Sequence, residues 1–239
     1  MTDFFQHIFA FDSHSPLLFT QFYFWAFLAI VYLVFTLIVE VGPHNRNTKL
    51  RLHIRNVFLM LVSWFFYYKT SGIFLLILLF ITLSDWSFAW LIHRAHRQGK
   101  LHLKNLWLTL SVLIDLGILC YFKYAYFGLD VFNTLFGTQL TITEKILLPV
   151  GISFYIFQVI SYTTDVYRGK IAPVKSPLDF GFFVSFFPQL VAGPIVRANE
   201  FIPQLYKPFH LSRYQFGIAV FWVLNGLAKK IILSDYLAV

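Results

Sequence analysis

Two carboxylates set inside apolar runs, Asp85 and Asp115, are the first residues of this 239-residue chain whose type and placement bear on chemistry. A carboxylate near the middle of a bilayer costs about 2.5–3.5 kcal/mol on insertion scales, so each must face a bundle interior or a polar cavity. Either they line a polar tunnel or proton path, or they make an inter-helix hydrogen bond that holds a bundle together. Neither has an identifiable partner in the sequence. His93 and His96 stand three apart with His102 six further on. No acidic or Cys ligand lies nearby, and Arg94, Arg97 and Lys100 surround them, so they read as solvated residues beside the membrane and no metal site is expected. His7, His14, His44, His53 and His210 read as loop residues, which leaves no His inside a span. The single Cys120 excludes an internal disulfide. There is no Gly-rich phosphate loop, Ser nucleophile elbow or zinc spacing.

Two stretches carry denser signals. The first is LPVGISFYIFQ at 148–158, continuing through Tyr162 and Asp165 to Arg168. Pro149, Gly151 and Ser153 describe a helix start that another backbone can approach closely. Gln158, Tyr162 and Asp165 fall at i, i+4 and i+7, so they form one polar stripe, which must face a cavity or a partner helix. The second is FFPQLVAGPIVR at 186–197, where Pro188, Gly193 and Pro194 prevent a regular helix. Its freed carbonyls, with Gln189 and Arg197, could hold a polar headgroup or phosphate; a plain structural break is the simpler reading.

The elements that position these residues are membrane helices. The chain is 58% hydrophobic and 13% charged, with a mean hydropathy of +0.68, against roughly 25% charged in a soluble domain. The net charge of +8 sits in short loops rather than over a face, which argues for membrane topology and against nucleic-acid binding. The first apolar run is preceded by Asp3 and Asp12 with no Lys or Arg, so a cleaved signal peptide is not expected.

Spans are expected at about 17–39, 54–68, 73–92, 105–122, 146–164 and 214–233. Lys69 should snorkel at a turn beside Tyr67 and Tyr68, and residues 123–145 should lie at the interface. The apolar part of 180–197 would rise only about 20 Å as a helix against a core of about 30 Å, so a re-entrant segment is expected there. Basic loops at 40–55 (Arg46, Lys49, Arg51, Arg55) and 93–105 (Arg94, Arg97, Lys100, Lys104), with Arg168, Lys170 and Lys175, place the N-terminus outside and these loops in the cytoplasm. Lys229 and Lys230 do not follow that pattern. The fold class is all-α integral membrane: a polytopic bundle of about six spans plus one re-entrant segment, with buried acids that also suit a transporter or channel subunit.

The stretches 148–170 and 186–197, together with YFKY at 121–124 and NGLAKKIILSDYLA at 225–238, resemble the membrane-bound O-acyltransferase family across essentially the whole chain. The resemblance is to its alginate O-acetyltransferase branch, with the D-alanyl transfer proteins of cell-wall polymers as relatives. It implies an inner-membrane enzyme that passes an acyl group from acetyl-CoA or an acyl carrier to an exported polysaccharide, working with periplasmic partner proteins. Residues 1–239 would then be the N-terminal half of a larger transmembrane domain. The family's catalytic His would lie beyond Val239, so no catalytic residue is assigned in this chain and it is expected to be inactive alone. Gln158, Tyr162, Asp165, Gln189 and Arg197 are the candidate tunnel lining.

Overall fold

In the computed structural model, the described residues are 22–40, 48–142, 145–190, 193–234 and 237. Their regular structure is all helical, with no strand among them. Apolar runs with no water to bond must close their backbone hydrogen bonds within the segment, and helices do so. Helix α1 covers Phe22–Glu40, α2 Thr48–Ser71, α3 Leu75–Arg97, α4 Leu101–Leu119 and α5 Ala125–Phe136. Helix α6 is Ile152–Tyr167, α7 Pro177–Ser185, α8 Phe187–Leu190, α9 Ala198–Leu205 and α10 Arg213–Ala228. The stretches Leu50–Arg97 and Leu101–Phe136 are long and apolar enough to cross a membrane, and Tyr23–Val39 is a shorter apolar helix.

The helix ends differ from the expected loops in informative ways. Helix α2 starts at Thr48, so Arg51, His53 and Arg55 stand on a helix rather than in a 40–55 loop; residues 41–47 lie outside the described set, as do 17–21. Arg55 is buried, and its Nη2 donates to the Leu205 carbonyl at 2.6 Å, with Asn56 Nδ2 on the same oxygen at 3.2 Å. That oxygen closes the C-terminal end of α9, where a helix leaves carbonyls unpaired. The Tyr206 hydroxyl then donates to Asp179 at 2.6 Å. Burial, and then the facing carboxylate, raises that phenol well above its ordinary value.

The supposed 93–105 loop is a tight turn. Helix α3 runs to Arg97 and α4 begins at Leu101, so His93, His96 and His102 are helical. Gly99, at φ 67°, donates to His96 O, and Lys100 donates to Ala95 O, which is a Schellman cap. Helix α6 ends in the same way at Gly169 (φ 72°), with Gly169 N on Val166 O and Lys170 N on Asp165 O. The expected break at 70–72 falls where α2 gives way to the turn Gly72–Phe74. After α4 the chain does not leave the helix for an interfacial segment. It passes through a π-bulge at Cys120–Tyr124 and continues as α5. The backbone stays helical through the bulge, and Gly128 is tolerated inside the run that follows.

Helices α3, α4 and α6 pack against one another, and α7 lies between α2, α3 and α6. Gly181 of α7 is the thin point: a Cβ there would touch Thr82 of α3 and Trp64 and Met60 of α2. Helices α2 and α3 therefore fold back to flank α7. Helix α7 starts at Pro177, three residues before the expected segment, because Ser176 caps it through Asp179 N and Pro177 sits at its first turn. It ends after nine residues at Phe186 and resumes for one turn as α8. Aromatic rings hold the broken segment. Phe187 meets Phe66 at 5.3 Å and Phe27 at 5.7 Å, while Phe201 of α9 meets Phe183 and Phe186 at 5.5 Å. Such pairs add about 0.5–1.5 kcal/mol each.

The described residues divide into two compact units, one ending at Tyr206 and one starting at Lys207. Within the second, α10 opens with a capping box of Ser212 and Gln215 and exposes Phe221, Trp222 and Leu224.

The two motif stretches meet directly. Gly151 caps α6 at φ 73°, and a Cβ there would lie 2.6 Å from the Leu190 carbonyl oxygen. Gly169 shares the left-handed conformation but has open space around it. Gly169→Ala is therefore expected to cost only the backbone term, about 1–2 kcal/mol, whereas Gly151→Ala must also displace a backbone and cost more. Thermal unfolding of the purified variants in one detergent checks this ordering; equal losses would refute the close approach.

Candidate functional site

Breaking a helix inside a bundle frees backbone groups, and polar side chains must take them up. Ser63 accepts from Phe187 N at 3.2 Å and donates to Leu59 O at 2.7 Å, so the start of α8 is held on α2. Ser71 accepts from Val150 N at 3.2 Å, which ties the turn that enters α6 to the end of α2. Gln158 Nε2 donates to Phe183 O at 3.1 Å, bridging α6 and α7. Gly193 closes the turn after α8, where its N–H reaches Gln189 O and any Cβ would collide with the Gln189 backbone.

Several buried polar atoms nonetheless lack a full set of hydrogen-bond partners among the described residues. Gln158 Oε1 and Gln189 Nε2 have none, while the Tyr67 and Tyr155 hydroxyls, and the Asp85 and Asp115 carboxyls, face each other as pairs. Tyr67 and Tyr155 meet edge to face at 6.3 Å, and both residues are fully buried. Native interiors carry few such orphans, and ordered water or a ligand normally satisfies them.

They are not scattered. Tyr155, Gln158 and Tyr162 fall on one buried stripe of α6 that spans roughly 10 Å along the helix axis. The Tyr162 hydroxyl accepts from Val174 N at 2.9 Å, and its ring packs on Phe180 at 4.4 Å. Beyond it, Ser111 of α4 donates to Asp85 Oδ1 at 2.6 Å, and the carboxyl of Asp115 stands beside that of Asp85. The two acids thus find each other across α3 and α4, in the inter-helix role that one of the two sequence readings gave them.

The remaining candidates separate by position. Gln189 is buried on α8, one residue before the carbonyl that meets Gly151. Asp165, although in register with Gln158 and Tyr162, reaches the end of α6, where it pairs with Lys170 at 3.8 Å. Arg197 is exposed and caps α9 with its carbonyl. Pro149 precedes α6 and accepts from Ile152 N, Ser153 is half-buried on its first turn, and Pro188 and Pro194 are exposed.

Sequence reasoning missed Tyr155, Tyr67, Ser71 and Ser111. Tyr155 sits three residues before Gln158, so the helical period alone could have added it. Tyr67 was expected in an interfacial belt with Tyr68, but only Tyr68 is exposed. Among the described residues no group of three or more metal-ligating side chains occurs, and none of the described histidines is buried.

An all-helical bundle with apolar stretches long enough to cross a membrane, and with polar side chains buried between its helices, defines the class as a helical membrane protein. The chain is 40% identical over 190 residues to a probable alginate O-acetylase of Pseudomonas putida, a match covering 77% of the chain and 38% of the relative. It is 38% identical over 189 residues to the corresponding protein of Pseudomonas aeruginosa, covering 77% and 35%. A peptidoglycan O-acetyltransferase of Helicobacter pylori is 30% identical over 242 residues, covering 90% and 44%. The chain belongs to the family of these O-acetylating proteins, and it spans well under half of their length. No family model and no solved structure matches it.

If the Asp85–Ser111 bond holds α3 to α4, Ser111→Ala leaves a buried acceptor bare and lowers stability by about 1–3 kcal/mol. Ser111→Thr, which keeps the hydroxyl, should lose clearly less. Denaturation of both variants in detergent decides the point; no loss in Ser111→Ala would mean that the bond carries no weight.

Proposed function

We propose that this chain forms one wall of a membrane-bound O-acyltransferase that transfers acetyl groups to an exported polysaccharide. The observation that carries the reading is the row of buried polar side chains on α6 and α8, in which Gln158 Oε1 and Gln189 Nε2 are left unsatisfied, in a chain related to O-acetylases. An apolar bundle has no reason to keep such atoms unless water or substrate meets them. Gln158, Tyr162 and Gln189, joined by Tyr155 and Tyr67, line the tunnel. Asp165 and Arg197 stand at its margins. The broken α7–α8 segment is re-entrant, shielded by α2, α3 and α6.

In the reaction, an acceptor hydroxyl forms an ester bond to the acetyl carbonyl carbon while the donor thioester's carbon–sulfur bond breaks. A base takes the hydroxyl proton and the leaving thiolate receives one. Acetyl-CoA or an acyl carrier is the donor from the cytoplasmic side of the bacterial inner membrane, with the N-terminus outside. A His suits the base because its ordinary pKa is near neutrality. No described His reaches the buried stripe, and the reading leaves the base to the part of the relatives' length that this chain does not span. Alginate is the first candidate acceptor, and peptidoglycan glycan the second, given the longer match to the Helicobacter protein. Periplasmic partner proteins complete the delivery of the polymer.

The reading is tested with radiolabelled acetyl-CoA and alginate oligosaccharide in membrane vesicles, scoring alkali-labile label. The 239 residues alone should give no transfer above vesicles without them. Joined to the remaining length of a relative, they should support transfer, and Gln189→Leu or Gln158→Leu should reduce it by about tenfold, the worth of one charge-free polar contact or slightly more. Transfer by the 239 residues alone would put the base inside this chain and overturn the assignment.

A further inference from the structure

The C-terminal end of α3 carries a cleft of about 720 Å³ that the interior stripe does not use. Trp86, Trp90, His93, Arg94, Arg97 and Gln98 line it. These residues recur along one face of the helix, and no carboxylate lies among them. Asp85, the nearest acid in sequence, is turned to Ser111 of α4. Both guanidinium groups are exposed, and neither has an ion-pair partner among the described residues.

The floor of the cleft is fixed. Trp86 Nε1 and Trp90 Nε1 both donate to the Val174 carbonyl, at 2.9 and 3.1 Å. The indoles are therefore held in place with their N–H groups already spent. Trp90 also meets the His93 ring edge-on at 6.2 Å. The negative end of the α3 dipole would oppose an anion here, but the turn that follows takes up the last carbonyls, with Gln98 N on Arg94 O and Lys100 N on Ala95 O.

Two further features select the ligand. Going back along the same face from Trp90, α3 exposes Leu83, Phe80 and Leu76, an apolar stripe leading away from the cations. The cleft also lies at a basic end of the bundle. The hydroxyl of Tyr167, at the end of α6, donates to Asn105 of α4, and Lys104 sits over the Tyr167 ring at 4.3 Å. Lys100, Lys104, Arg168 and Lys170 therefore gather at that end, with Lys175 next to the clamped Val174. A cationic pocket floored by interfacial Trp residues and continued by a lipid-facing apolar stripe matches a molecule with an anionic head and hydrocarbon tails.

We propose that this cleft binds the phosphodiester headgroup of an anionic membrane phospholipid. Arg94 and Arg97 meet the phosphate, the Trp86 and Trp90 rings lie at the glycerol level, and the acyl chains run along Leu83, Phe80 and Leu76. Arg suits this place because its planar fork pairs two phosphate oxygens at once.

The test uses the purified 239-residue chain in nanodiscs of mixed phosphatidylglycerol and phosphatidylcholine, with retained lipid counted by mass spectrometry after transfer to detergent. Phosphatidylglycerol should be retained in preference. The double variant Arg94→Gln/Arg97→Gln should lose that preference roughly 30-fold, each surface cation counting for roughly fivefold. Arg94→Lys/Arg97→Lys, which keeps the charge and guards against a folding artefact, should keep most of it. Lys123→Gln, at the other end of α4, should leave it unchanged. Equal retention of both lipids, undiminished preference in the Gln double variant, or full displacement by millimolar inorganic phosphate would overturn the proposal, the last by showing a site for soluble anions instead.

Discussion

The close approach of Gly151 to the Leu190 carbonyl is the contact on which this bundle depends. It joins the entrance of α6 to the one-turn helix α8, and no side chain larger than hydrogen fits between them. Once those backbones touch, Ser71 can hold Val150 and Ser63 can hold Phe187, because both serines sit on the same helix, α2. The broken segment then has no freedom to leave the protein interior. In a bilayer that confinement is required, since a helix interrupted at Phe186 exposes groups that lipid cannot satisfy.

The same constraint explains why polar atoms are left over. Gln158 spends its amide N–H on Phe183 O, and its own oxygen remains bare; Gln189 spends its backbone on the turn, and its side-chain nitrogen remains bare. These residues first repair the backbone that the break damaged, and what remains of their capacity faces the interior. Helix-to-helix ties and leftover polar capacity come from one set of side chains. A variant there moves both, so fold and activity must be read separately.

Much of this was legible from residue types. Pro149, Gly151 and the polar stripe announced a helix start approached by another backbone. Pro188, Gly193 and Pro194 announced a break, because these residues remove donors or demand space whatever surrounds them. Helix ends were read less well. Charged residues such as Arg51, His93 and Lys104 looked like loop, yet a Schellman turn needs only Gly99 and its two neighbours, so the helices run on to their charges. Partnerships across the fold were not legible at all. Nothing near Asp85 in the chain names Ser111, and nothing near Arg55 names Leu205, because both pairings are made by tertiary packing. Tyr67 and Tyr68 show the limit well, as identical neighbours, one buried and one exposed by helical phase alone.

Direction along the helices links the two ends of the molecule. Helices α3 and α6 both run from the Gly151–Leu190 junction toward the basic end, since Ser71 and Val150 meet at their starts, and Tyr167 at the end of α6 meets Asn105 and Lys104 just past the turn that ends α3. Helix α6 has 16 residues, so about 24 Å of axis separates the ends, most of a hydrocarbon core of about 30 Å. Positive charge in membrane proteins gathers in short turns at one end of the helices, and here Lys100, Lys104, Arg168 and Lys170 stand at the end opposite the junction. The polar stripe Tyr155–Gln158–Tyr162 lies between them and starts at the junction. The buried polar stripe therefore begins near the junction and stops short of the basic end, so the two features occupy different levels of one helix pair.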